Sequence, residues 1–73
     1  MIVHSLSVIE KALIITIMTQ RGSATAREMQ IASQVDRHLC SEYLDELRSK
    51  GILRVAQIDR DGMTRYEVNR TNR

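Results

Sequence analysis

The 73-residue chain has no proline, three glycines, one cysteine, and two tyrosines as its only aromatic residues. Each scarcity removes a class. A single cysteine, Cys40, excludes an internal disulfide and a multi-thiolate zinc site. Without proline, and with so little glycine, collagenous and linker-like segments are excluded. Tyr43 and Tyr66 are too few for a platform on which bases stack. The first ten residues, MIVHSLSVIE, hold no Lys or Arg, and the longest apolar run, Ala12 to Met18, is interrupted by Thr16. A secretory signal needs a basic start, and a membrane span needs about 20 apolar residues. The expectation is a reduced, cytoplasmic protein with no membrane association.

What is present reads as a small globular domain. Hydrophobic residues make up 42% and charged residues 27%, too apolar for a disordered chain. A chain this short buries only about 60% of its unfolded surface, so one domain over residues 1–73 is the limit. Net charge is +2, weak evidence alone for an anionic partner. Its distribution says more. Residues 54–73 set Arg54, Arg60, Arg65, Arg70 and Arg73 against Asp59, Asp61 and Glu67, so the basic surplus is C-terminal and all arginine.

Ser7-Val8-Ile9-Glu10 has the form of a capping box and opens a first helix over about 8–20, stopped by Gly22. At about 100° per residue its apolar side chains surround the whole circumference, and such a helix should be covered on all sides. One small domain can hardly do that, so a homodimer through Ile14, Ile15 and Met18 with the N-terminal arm 1–6, including Ile2, is expected. The alternative is a central core helix covered by a hairpin and by a strand at Met1-Ile2-Val3. Thr25-Ala26-Arg27-Glu28 is a second capping box, for a helix to about Ala32 with apolar contacts from Met29, Ile31 and Ala32. Asp36 then caps a third helix, 37–50, whose Cys40, Leu44 and Leu47 form an inward stripe ending at Gly51. After Gly51 the period becomes two, and Asp61-Gly62 marks a hairpin running from about 52–58 to 63–69. Residues 70–73 read as a frayed tail.

The segments carrying this pattern are T-A-R-E-M-Q-I-A, then D-R-H-L-C-S-E-Y-L-D-E-L-R-S-K-G-I-L-R-V, then D-R-D-G-M-T-R-Y-E-V. Over roughly residues 8–69 the chain resembles the winged helix-turn-helix superfamily, most specifically in Cys40, Tyr43-Leu44, Leu47 and Gly51-Ile52-Leu53. Within it, the chain is similar to very small regulators of fimbrial operons and, more loosely, to MarR-type repressors. The resemblance implies an α+β fold of three helices followed by a two-stranded wing. It also implies a transcriptional regulator of duplex DNA. Arg37, His38, Ser41 and Glu42 would face base edges from the third helix. Thr25 and Arg27 would meet phosphate at the second helix's start, and Arg60 and Arg65 would anchor the wing on the backbone.

One feature departs from that pattern. Glu42, Asp45 and Glu46 share a side of the third helix, where phosphates would repel them unless Glu42 accepts from a cytosine amine. The alternative is an adaptor or co-regulator whose acidic face meets a larger regulatory protein. Catalysis is not expected, since no nucleophile elbow or phosphate-binding glycine loop is present. Nor is a cofactor or metal: His38 and Cys40 point apart on a helix, and Asp59 and Asp61 serve a turn.

Overall fold

The computed structural model describes residues 5–70. Three helices and three short strands follow in the order α1 (Val8–Arg21), β1 (Ser23–Thr25), α2 (Ala26–Ser33), α3 (Arg37–Ser49), β2 (Leu53–Ile58) and β3 (Thr64–Val68). The helix boundaries have local causes. Ser7 Oγ accepts from the Glu10 amide at 3.1 Å, and the Glu10 carboxylate accepts from the Ser7 amide at 2.9 Å, so the reciprocal cap opens α1. The same pair of bonds, between Thr25 and Glu28, opens α2. Asp36 caps α3 by accepting from the amides of His38 and Leu39. At the far end of α3, Ile52 N–H donates to Leu47 O and Gly51 N–H to Arg48 O, both at 3.0 Å. Those two bonds are a Schellman closure, and Gly51 at φ +82° occupies the left-handed position it requires.

The three strands form one antiparallel sheet in the order β1-β3-β2, with β3 central. The α+β expectation holds, but the two-stranded hairpin becomes a three-stranded sheet. Its third member is β1, between α1 and α2, which pairs Ser23 with Glu67, Ala24 with Tyr66 and Thr25 with Arg65. The strand expected at Met1-Ile2-Val3 lies outside the described residues. In the hairpin, Asp59 N–H donates to Met63 O and Gly62 N–H to Asp59 O. Gly62 has φ +82°, so the connection is a three-residue loop with glycine in the left-handed region rather than a two-residue turn. Between Val55, opposite Tyr66, and Gln57, opposite Arg65, the ladder slips by one residue. Ala56 is the extra residue of a β-bulge.

The core gathers one face of every element: Ile14 and Met18 from α1, Ala24 from β1, Met29 from α2, Cys40, Leu44 and Leu47 from α3, and Leu53 and Tyr66 from the hairpin. This overturns part of the expected dimer interface. Ile14 is 0% and Met18 2% exposed within the single chain, because α2, β1 and β3 together pack against that side of α1. Ile15 stays exposed, and Ile2 lies outside the described residues. On α2, Met29 is buried as expected while Ile31 and Ala32 face outward. Both tyrosines are core residues. Among the described residues no helix is long and apolar enough to cross a membrane.

Candidate nucleic-acid interface

The N-terminal half of α3 presents Arg37, His38 and Glu42 to solvent, with Ser41 half-buried beside them. Arg37, His38 and Ser41 line one side of a groove of about 370 Å³ whose other walls are Ala26, at the start of α2, and Met63, just past the hairpin turn. The groove thus joins α3, the start of α2 and the hairpin. Arg27 follows Ala26 in the chain and Arg60 stands in the turn before Met63, both exposed. In the sequence Ala26 reads only as part of the second capping box and Met63 only as a packing residue, and nothing there marks either as a groove wall.

The carboxylates of α3 do not stand alone. Glu42 pairs with His38 Nε2 at 3.0 Å, Asp45 with Arg48 Nε at 2.9 Å and Glu46 with Lys50 Nζ at 3.1 Å. Each pair is exposed and contributes little to stability. The Arg48 and Lys50 pairs offset two of the three negative charges that α3 would otherwise turn toward a polyanion, while Glu42 is hydrogen-bonded to an imidazole. The spacings of three and four are those at which helical side chains meet, and that was the available signal in the sequence.

The arginines divide sharply. Arg21 approaches Glu28 at 3.7 Å, Arg48 holds Asp45, Arg54 holds Glu67, and Arg65 holds both Glu28 and Asp59. Among the described residues, Arg27, Arg37, Arg60 and Arg70 form no ion pair. Arg70 follows β3 at the open end of the hairpin, opposite its turn. Of the other three, Arg37 lines the groove, and Arg27 and Arg60 are exposed on the two elements that supply its other walls.

Two residues expected at the phosphates have other work. Thr25 is 4% exposed, and its hydroxyl oxygen accepts from the Glu28 amide; it caps α2 from a buried position. Arg65 sits with its guanidinium across Glu28 as a two-bond fork, 3.0 and 2.8 Å, and reaches Asp59 at 3.1 Å. Its side chain is only 25% exposed. Such bidentate, charge-assisted bonds hold a planar cation in one orientation, so Arg65 fastens α2 to the hairpin instead of reaching outward. The Arg65 bonds hold the Glu28 carboxyl below its ordinary value. Hydrogen bonds from Gln57 and then Arg65 do the same for Asp59.

Cys40 is enclosed, with its thiol against Val35 O and Ser33 Oγ. Burial pushes its pKa up, the opposite of a reactive thiolate. Among the described residues, no three His, Cys, Asp or Glu side chains are placed to share a metal ion. No protein-family model, curated protein or solved structure matches this chain.

Proposed function

We propose that the protein binds duplex DNA as a winged helix-turn-helix regulator, with α3 in the major groove and the β2–β3 hairpin as the wing along the backbone. The observation that carries this reading is the segregation of charge. Asp45 and Glu46 are matched by Arg48 and Lys50, and the arginines without an ion pair on the elements that build the groove are Arg37 in its wall, Arg27 beside Ala26 in the chain and Arg60 in the turn before Met63. In that docking Arg37 and Ser41 meet base edges, His38 and Glu42 act as a hydrogen-bonded unit at the same edges, and Arg27 and Arg60 meet phosphates on either side. Met63 and Ala26 supply the apolar part of the groove wall, suited to a thymine methyl group. Thr25 and Arg65 act indirectly, by fixing the start of α2 and the wing at one mutual angle.

Selection of bound duplexes from a random pool tests this reading. A regulator of this kind enriches a defined motif, and Arg37→Ala relaxes one position of it at a cost of about 1–3 kcal/mol. A pool that emerges without enrichment, at low salt as well as high, refutes the assignment and leaves the adaptor alternative standing.

A further inference from the structure

The outward face of α1 carries no charge along its entire length. Val8, Ala12, Ile15 and Thr19 run down one side of it and Ile9, Leu13, Thr16 and Gln20 down the other, all of them exposed. Val8 is 83% and Ile9 81% exposed. The charged residues of the helix are turned away from this face. Glu10 caps the N-terminus, Lys11 lies over the Tyr43 ring at 5.7 Å, and Arg21 approaches Glu28. In a chain that is 27% charged, an uncharged helix face 14 residues long is a departure that solvation does not explain.

We propose that this face is where two copies of the chain associate, α1 against α1 about a twofold axis. The spacing of the row Val8, Ala12, Ile15 and Thr19, four then three then four, is that of a two-helix seam, in which successive side chains stay turned toward a partner helix. A face with no charge has no complement among the exposed faces of α2 and α3, which carry Arg27 and the α3 ion pairs. The same uncharged face on a second copy matches it along its whole length, as an isologous pairing requires. Ala12, in the middle of the row, lets the two backbones approach closely. Two such faces laid along a helix of about 21 Å bury on the order of 1,000 Å² in total, less than the ~1,600 Å² of a standard stable interface. The dimer is accordingly a weak one, formed and lost over micromolar concentrations. None of these residues lines the groove bordered by Arg37 and Met63, so the inference stands independently of DNA binding.

Sedimentation equilibrium of the full chain from roughly 1 to 200 µM brackets the affinity that so small an area supports. The expected result is a mass rising from 8.4 kDa toward twice that value. Ala12→Asp, which places a charge at the centre of the seam, holds the mass at that of one chain across the range. Val8→Glu does the same and adds a carboxylate where the α1 dipole favours it, so its helix folds at least as well as the parent's. A parent chain that stays monomeric throughout overturns the proposal. So does a dimer that persists unchanged in both variants, because its contact then lies elsewhere.

Discussion

The division of the arginines into paired and unpaired sets gives the salt dependence of duplex binding a number. Each phosphate neutralised contributes about −0.9 to the slope of log K against log salt. Arg37 faces base edges in the proposed docking and is left out of the count. Treating every other arginine of α2 and the hairpin as a phosphate contact would include Arg54 and Arg65 along with Arg27 and Arg60, for a slope near −3.6 per chain. The structure ties Arg54 to Glu67 and Arg65 to Glu28 and Asp59, and a cation already holding a carboxylate is not free to take a phosphate. Two contacts remain. The expected slope is about −1.8 per bound chain, so raising salt from about 50 to 200 mM weakens binding roughly 12-fold. Fluorescence anisotropy with a labelled duplex over that range measures it. Arg60→Ala should flatten the slope to about −0.9, leaving a loss of roughly 3.5-fold, whereas Arg54→Ala should leave it unchanged. A parent slope of about −3 or steeper, or a change on removing Arg54 and none on removing Arg60, would show that ion pairing does not decide which arginines meet the duplex.

The remaining expectations concern the frame that holds the groove. Because Glu28 and Asp59 are held below their ordinary values of 4.5 and 3.8, the clamp with Arg65 contributes fully above those values and is lost as pH falls through the lowered ones. Thermal midpoints measured by circular dichroism should therefore drop on acidification through pH 4, and less steeply in Glu28→Gln than in the parent. Thr25→Ala removes the cap of α2 and should cost about 1 kcal/mol in urea unfolding; no change would mean another group satisfies the Glu28 amide. Leu44→Ala, at a fully buried position, should cost about 2–5 kcal/mol. In a domain this size, with a total stability of about 4–11 kcal/mol, circular dichroism should show it partly unfolded near 37 °C.

Much of the fold could be read locally. Both capping boxes, the Asp36 cap, the inward stripe of α3 and the turns at Gly51 and Gly62 involve residues within a few positions of one another, and each was found where its spacing placed it. The features that were not legible depend on distant partners. Ser23-Ala24-Thr25 has no period of its own and is a strand only because β3 lies beside it, as expected when strand formation reflects surroundings more than propensity. With apolar residues all round α1, the pattern does not reveal which side faces inward, and the core of the single chain holds Ile14 and Met18, which the sequence alone offers equally to a partner. Arg65 looked like a free wing cation because its main counter-charge, Glu28, is 37 residues away. The pairing of Glu42, Asp45 and Glu46 was within reach, since each partner stands three or four positions along the same helix.

Ala56 shows how one inserted residue shapes the hairpin beyond it. β2 is an outer strand, with Ile52, Val55 and Ile58 exposed on or beside it, a combination that invites a foreign strand to add on. The slip at Ala56 interrupts the straight row of amides and carbonyls that such a strand would copy, and it increases the local twist. It also shifts the side-chain alternation by one, setting the facing of everything from Gln57 to the turn. Deleting this one alanine would thus both straighten an aggregation-prone edge and turn Asp59 away from Arg65, freeing the tip to swing relative to α2.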